Sequence, residues 1–224
     1  MACRLLGLEL IAGVEVSAEV MGSEVHLLVY GFDCEHDGLN ELLLRQREYR
    51  RIRFDRFLEN FRGAGIPVAA LPVALLESCE SIGRPHLADL LVRHGAAQSL
   101  QDAFDRFLVE GADTFVAKIL PDGSEVISVA AAASGICVLA HPGHYTSNQE
   151  IICLIEAGLS GIEVVHPSHD QPLVDYYREL ADRYGLLKTG GSDYHGRREQ
   201  EDENLGRYFV SADELGDIAV LRTL

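Results

Sequence analysis

The chain has 224 residues, enough for one sizeable core or for one domain that carries a smaller insertion. Its hydrophobic share of 47% and charged share of 24% are those of an ordinary globular protein. A net charge of −16 argues against binding of duplex DNA through a broad basic face, but bound divalent cations would reverse the local field and admit a phosphorylated substrate.

The five cysteines are odd in number and widely spaced, which predicts reduced thiols in a cytosolic protein. The first residues lack the charged segment and long apolar segment of a signal peptide. The longest uncharged stretch, residues 126–140, is shorter than the roughly 20 residues that a spanning helix needs. We therefore expect a cytoplasmic protein without a membrane segment.

Residues 2–6 look like the end of a helix that Gly7 terminates, with no N-cap and no preceding strand. A strand is predicted at residues 9–17, and within it Glu15 interrupts an apolar run. The chain therefore looks as though its beginning has been lost.

A second strand is predicted at residues 24–30, where His26 lies between Val25 and Leu27. Taken singly, Glu15 and His26 are each either solvent-facing or hydrogen-bonded residues of a strand, or members of a site. Their occurrence on consecutive strands favours the second interpretation, that both residues belong to a site.

From residue 34 to residue 111 the pattern is mainly helical, with helices expected at residues 40–62, 72–79, 86–94 and 100–110. The first of these helices carries six arginines on one face, which is either a solvated face or a cation-lined approach for a phosphate chain. The tetrad Gly83-Arg84-Pro85-His86 is either a plain turn with an N1 proline or a helix start at which Arg84 and His86 hold an anion.

Three helix–strand units follow, and each strand ends in a histidine. The helices are expected at residues 125–133, 149–157 and 172–184, and the strands at residues 136–140, 161–165 and 186–189. The histidines that follow these strands are His141, His166 and His195. Such alternation builds either an open doubly wound sheet or a barrel, and both architectures have their active sites at the carboxyl ends of the strands.

The last of these strands leads into Gly190-Gly191-Ser192-Asp193-Tyr194-His195. In an extended segment, side chains two residues apart point the same way, so Asp193 and His195 would be aimed at one point. The alternative is a helix start with Asp193 as its cap and His195 exposed.

Imidazoles and carboxylates from several strand ends, without cysteine ligands, suit two or three divalent ions such as Zn, Mn or Fe. Metal ions a few ångströms apart can share a hydroxide and can bind both the attacking and the leaving oxygen of a phosphoryl transfer. The sequence has no Gly-x-Ser-x-Gly elbow, no P-loop and no Gly-x-Gly-x-x-Gly fingerprint.

Six segments, in this order, resemble the PHP family, named for polymerase and histidinol phosphatase domains. They are Gly13-Val14-Glu15-Val16-Ser17, Val25-His26-Leu27-Leu28, Gly83-Arg84-Pro85-His86, Leu139-Ala140-His141-Pro142, Gly161-Ile162-Glu163-Val164 and Gly190-Gly191-Ser192-Asp193-Tyr194-His195. The Gly-Arg-Pro-His tetrad and the helical insertion resemble one branch, the metal-dependent phosphoesterases that act on nucleoside bisphosphates and short RNA.

The resemblance implies an α/β fold, a distorted (β/α)7 TIM-like barrel of the PHP type that is incomplete at its N-terminus. The barrel would comprise residues 1–33 and 112–224, with residues 34–111 as a helical insertion.

The resemblance also implies roles for individual residues. Glu15 would bridge two metals, His26 and His141 would complete one site, Asp193 would belong to the other, and His195 to a third. A substrate phosphate would be held by Arg84 and His86, and also by His144, which stands where this branch often has an arginine. His166 and His169 are expected to be partly buried histidines that finish a strand, and not ligands.

Family members open with a His-x-His strand and a second strand ending in an Asp-His pair, and neither occurs here. Only the site of Glu15, His26 and His141 would then keep its full protein ligand set. The expected activity is hydrolysis of a nucleoside 3′,5′-bisphosphate or of short RNA by a metal-bound hydroxide, with manganese as the expected ion. The alternative is a truncated, catalytically inactive metal-binding or regulatory remnant. The sequence does not identify a protein partner.

Overall fold

The structure is a computed structural model that describes residues 11–66, 82–195 and 199–215. The predicted helix end at residues 2–6, the beginning of the first strand and the predicted helix at residues 72–79 lie outside the described residues. The chain divides into two compact units, one made of residues 1–40 and 120–224 and the other of residues 41–119.

The described part of the first unit begins with a β-hairpin formed by β1, Gly13–Val20, and β2, Ser23–Tyr30. In both strands every second residue is buried, namely Val16, Ala18 and Val20 in β1 and Val25, Leu27 and Val29 in β2, so the hairpin has one face on the core. Met21 and Gly22, with φ angles of 51° and 87°, form the two-residue turn. β1 extends past the predicted end at residue 17 because the alternation continues to Val20 and β2 pairs with it throughout.

Helices dominate the next part of the chain. Helix α1 spans Asp37–Gly63, α2 spans Arg84–Arg93, and α3 spans Leu100–Ala103. A π-helical turn, Phe104–Leu108, continues α3, so the helix predicted at residues 100–110 is split and shorter than expected.

The second unit has its own core, in which phenylalanines of α1 pack against leucines of α2 and of the π-helical turn. One arginine of the basic face of α1 is part of this packing. Arg53 donates a hydrogen bond from Nε to the Val116 carbonyl at 2.8 Å and lies over the Phe57 ring. Arg53 is therefore a structural residue of the second unit.

The rest of the first unit alternates helix and strand, as predicted. Helix α4 spans Gly123–Ala132, β3 Ile136–Leu139, α5 Asn148–Glu156, β4 Gly161–Val165, α6 Gln171–Tyr184 and β5 Leu187–Gly190. Two short helices, α7 at Glu199–Asn204 and α8 at Ala212–Leu215, follow. The bounds differ from the predicted ones by one or two residues, because caps such as Asp122, Ser147 and Asp170 set the helix starts.

The five strands form one mixed sheet in the order β1-β2-β3-β4-β5. β2 runs antiparallel to both of its neighbours, whereas β3, β4 and β5 are parallel. The fold of the first unit is therefore mixed α/β. Gly161 allows β4 and β5 to approach closely, because a Cβ at this position would lie 2.9 Å from the Leu187 carbonyl oxygen. None of the helices described is both long and apolar enough to cross a membrane.

Candidate metal centre

Three side chains of the first unit meet at one point. Glu15 Oε1 lies 2.7 Å from His26 Nδ1 and 3.4 Å from His141 Nε2, and the two imidazole nitrogens are 3.2 Å apart. The side chains of His26 and Glu15 are 32% and 34% exposed, so the group is accessible to solutes. One carboxylate oxygen and two nitrogens thus form a small triangle at the protein surface.

The pairing of the strands brings these residues together. His26 is directly opposite Ser17 in the hairpin, so Glu15 is its diagonal neighbour on the same face. His141 follows β3 by two residues, and the preceding residue, Ala140, donates its N–H to the His26 carbonyl at 2.9 Å. The hairpin therefore supplies two of the donors, and the carboxyl end of β3 supplies the third.

The three residues change one another's protonation. Hydrogen bonds with His141 and His26 hold the pKa of Glu15 well below its usual range. Hydrogen bonds with Glu15 and then with Glu24 raise the pKa of His26 to about 9. The hydrogen bond with Glu15 also raises the pKa of His141. In the absence of a cation, the cluster therefore holds protons that a metal ion would have to displace.

Glu15 also belongs to a second group of potential ligands, with Asp193 and His195. One donor atom from each residue lies within 4.8 Å of the others. His195 Nδ1 is 3.5 Å from Asp193 Oδ1. The predicted convergence of Asp193 and His195 is present, but the expected extended backbone is not: residues 191–195 are irregular and Asp193 has a φ of 50°. A left-handed residue, which aspartate tolerates better than most, turns the segment here.

A buried carboxylate to which the sequence analysis assigned no role positions His141. Glu163, on β4 and 6% exposed, accepts the His141 N–H at 2.8 Å. His141 has a φ of 26°, which is uncommon for a residue other than glycine. Burial raises the pKa of Glu163. The available signal was a carboxylate inside an otherwise apolar strand, the same signal that drew attention to Glu15.

The residues after His141 are held by two further buried side chains. His169 Nε2 accepts the Gly143 N–H at 3.1 Å, and its Nδ1 donates to the Val164 carbonyl at 3.0 Å. Tyr177 donates its hydroxyl to the Gly143 carbonyl. Both ring nitrogens of His169 thus form hydrogen bonds with the backbone.

The residues predicted to contact a substrate phosphate are divided between the two units. Arg84 and His86 are at the start of α2, in the second unit, where Arg84 donates to the Leu108 carbonyl at 3.3 Å and His86 Nδ1 accepts the Gly83 N–H at 3.1 Å. His144 is exposed, three residues after His141. Contact of these three residues with a substrate phosphate stays a prediction.

The geometry of the group formed by Glu15, His26 and His141 fits a divalent ion. Two ligand atoms about 2.1 Å from a tetrahedral ion are about 3.4 Å apart. The three separations between Glu15 Oε1, His26 Nδ1 and His141 Nε2 are 2.7, 3.2 and 3.4 Å. Imidazole and carboxylate donors suit Zn, Mn and Fe. Small movements would therefore place all three donors at bonding distance from one ion.

Comparison with curated proteins gives several relatives. The chain is 30% identical over 199 residues to a 5′-3′ exoribonuclease of Haemophilus influenzae, covering 87% of this chain and 72% of that protein. It is 30% identical over 197 residues to a 3′,5′-nucleoside bisphosphate phosphatase of Chromobacterium violaceum, covering 84% and 68%. It is 33% identical over 200 residues to a phosphoribosyl 1,2-cyclic phosphate 1,2-diphosphodiesterase of Eggerthella lenta, covering 86% and 75%.

Comparison with solved structures agrees. A crystal structure from Bifidobacterium adolescentis, named as that of a metal-dependent phosphoesterase, superposes with a TM-score of 0.81 and 27% identity, covering 98% of this chain and 79% of that one. No protein-family model matches the chain. The similarity to the curated relatives covers most of both chains. The chain therefore belongs to the PHP family of phosphoesterases.

Proposed function

We propose that the protein is a metal-dependent phosphoesterase that hydrolyses phosphate esters of nucleotides, either a nucleoside 3′,5′-bisphosphate or short RNA. The observation that carries the proposal is the triangle of Glu15, His26 and His141, whose spacing fits one divalent ion. Support for the substrate class comes from the relatives, whose names describe hydrolysis of bisphosphates, RNA and a cyclic phosphate.

One ion would be bound by Glu15, His26 and His141. Part of the ligand set of a second or third ion would be supplied by Glu15, Asp193 and His195. Because Glu15 belongs to both groups, it is the residue proposed to bridge two ions. A divalent ion supplies polarisation of the phosphoryl group and activation of water for attack. Manganese is the proposed ion, with zinc and iron as alternatives.

Arg84, His86 and His144 are proposed to bind the substrate phosphate, since cationic and N–H donors stabilise phosphoryl charge. The first unit is proposed to be part of a distorted (β/α)7 barrel that residues 34–111 interrupt. The parallel arrangement of β3, β4 and β5 and the likeness to the phosphoesterase structure support this architecture.

The test is phosphate release from adenosine 3′,5′-bisphosphate by the full chain, first stripped with a chelator and then supplied with manganese, zinc or iron. Bound metal is counted in the same samples. Glu15→Gln removes a charged donor from both ligand groups, so we expect it to abolish turnover and lower the metal content. Glu19→Gln is the matched control, because Glu19 lies on the same face of β1 but is outside both ligand groups.

A short 5′-phosphorylated RNA distinguishes the two substrates, because stepwise release of mononucleotides would identify exoribonuclease activity. Equal activity of the Glu15→Gln and wild-type proteins would refute the proposed centre. Metal binding without release of product from either substrate would support the metal-binding or regulatory alternative instead.

A further inference from the structure

Tyr145 is 97% exposed, the largest exposed fraction of any large apolar or aromatic side chain among the residues that the structure describes. Aromatic side chains contribute most to stability when they are buried, so an open ring contributes little to this fold. A single exposed apolar residue is common on a protein surface, and exposure alone therefore indicates no function. The position of Tyr145 beside the candidate metal centre is what distinguishes it.

A closed turn connects Tyr145 with the potential metal ligand His141, four residues earlier in the same unit. The Thr146 N–H donates to the Pro142 carbonyl at 3.2 Å, and the Thr146 hydroxyl donates to the same carbonyl at 3.0 Å. A turn closed by such a bond advances the chain by about 5 Å, one helical pitch. The tyrosine ring is thus carried on backbone that lies next to a ligand.

The turn is also anchored from below. His169 Nε2 accepts the Gly143 N–H at 3.1 Å, and the buried Tyr177 donates its hydroxyl to the Gly143 carbonyl. The ring of Tyr145 lies beside this anchored residue, since a Cβ built on Gly143 would be 3.6 Å from Tyr145 Cδ2. Because the supporting backbone is already ordered, a ligand that contacts the ring has little ordering cost to overcome.

We propose that Tyr145 is a specificity-determining residue that stacks on the nucleobase of the substrate. The inference rests on the proposed function and restricts it to substrates that carry a base. The candidate metal centre and the cationic residues would bind phosphate, and neither group recognises a base. Every base has a flat π-face, and an open tyrosine ring on a fixed support presents the complementary surface.

The test compares two ligands that share a phosphorylated ribose and differ by adenine, namely adenosine 5′-monophosphate and ribose 5-phosphate. Each is used as an inhibitor of adenosine 3′,5′-bisphosphate hydrolysis by the full chain supplied with manganese. The variants are Tyr145→Leu, which removes the aromatic ring, and Tyr145→Phe, which keeps the ring and loses the hydroxyl.

Tyr184→Leu is the matched control. Tyr184 is 42% exposed and is the last residue of α6, seven positions after Tyr177. It therefore lies about 10 Å further along the helix than the residue that contacts the turn. A change in its side chain tests the general effect of removing an exposed tyrosine from this unit.

We expect Tyr145→Leu to weaken inhibition by adenosine 5′-monophosphate by about 5- to 150-fold, the range measured for removal of a base-stacking aromatic residue. Inhibition by ribose 5-phosphate should be unchanged. Phenylalanine should behave like tyrosine, and Tyr184→Leu should alter neither constant. For the bisphosphate itself, Tyr145→Leu should raise KM at nearly constant kcat, because the stack is present in both the ground state and the transition state.

Three results would overturn the inference. One is unchanged inhibition by adenosine 5′-monophosphate in Tyr145→Leu. Another is an equal loss for both ligands, since the substitution would then act on the phosphate end of the site. The third is equal inhibition of the wild-type protein by both ligands, because adenine would then contribute nothing to binding.

Fluorescence gives a second readout, because the chain contains no tryptophan. Tyr145→Trp introduces a single indole at the proposed contact, and its emission should be quenched by adenosine 5′-monophosphate but not by ribose 5-phosphate. Unchanged emission at nucleotide concentrations that inhibit hydrolysis would contradict the stack. A wild-type chain that neither hydrolyses the bisphosphate nor binds either ligand would show that the proposed function is wrong, whereas hydrolysis that is indifferent to Tyr145→Leu would refute the present inference alone.

Discussion

Replacement of Glu163 by leucine removes the acceptor that holds the backbone of His141. The hydrogen bond is short, 2.8 Å, and the carboxylate is 6% exposed, so little water is available to replace it. Loss of the acceptor leaves a buried N–H unpaired, which costs about 1–3 kcal/mol. Part of this cost is offset, because burial of the carboxylate is itself unfavourable and raises its pKa.

The larger effect should be on metal binding. His141 has its uncommon φ of 26° while its amide is held, and release of the amide allows the imidazole to leave the triangle with Glu15 and His26. Residues that orient metal ligands typically change metal affinity by 10- to 100-fold. We therefore expect Glu163→Leu to lower manganese affinity by about that factor, while the free energy of unfolding of the metal-free protein falls by only about 1–2 kcal/mol.

Metal affinity is measured by competition with a chelating dye, and stability by urea unfolding of the metal-free protein. Glu163→Gln is the matched variant: its amide oxygen still accepts a hydrogen bond, and a neutral bond of about half the strength should limit the loss of affinity to less than about tenfold. A folded Glu163→Leu protein with wild-type manganese affinity would refute the reasoning. Glutamine as damaging as leucine would show that the charge, and not the hydrogen bond, is what matters.

Three further predictions concern stability. Ser147 caps α5, and its hydroxyl accepts the Glu150 N–H. Ser147→Ala should therefore lower the free energy of unfolding by about 0.5–2 kcal/mol and lower the Tm at unchanged manganese affinity, whereas Ser147→Thr should behave like the wild type. An unchanged Tm in Ser147→Ala would be inconsistent with the cap. In the metal-free protein, the pKa of His26 is raised to about 9, so the stabilisation that protonated His26 provides is complete below pH 6.5 and is lost as the pH rises through 9. The pKa of Glu15 is lowered, so the stabilisation that its carboxylate provides is complete above pH 4.5 and is lost on acidification. The Tm should therefore fall between pH 6.5 and 9, and an equally steep fall in Glu15→Gln would exclude this pair as the cause. Gly161→Ala should destabilise the protein by about 1–3 kcal/mol, because the new methyl group would lie 2.9 Å from the Leu187 carbonyl oxygen. Gly63→Ala is the control and should not destabilise the protein, because a Cβ at that position has nothing within 4 Å. Equal Tm values for the two variants would refute the packing argument.

Features of the chain that depend on local periodicity could be predicted from the sequence. The alternation in β2 and the helix–strand alternation after residue 122 follow from side-chain spacing, and the structure places these elements within one or two residues of the predictions. The types of side chain after each strand also predicted where donors would accumulate. Such patterns are short-range, and one sequence is sufficient to show them.

The tertiary structure alone decided how those donors meet. His26 and His141 are 115 residues apart, and their contact depends on strand register and on the reversed direction of β2, which no spacing encodes. Glu163 was identifiable as a carboxylate in an apolar strand, but its hydrogen bond to His141 depends on the pairing of β3 with β4. Sequence thus determined which chemical groups were available, and long-range packing determined their distances and hydrogen-bond partners, because these depend on contacts between segments far apart in the chain.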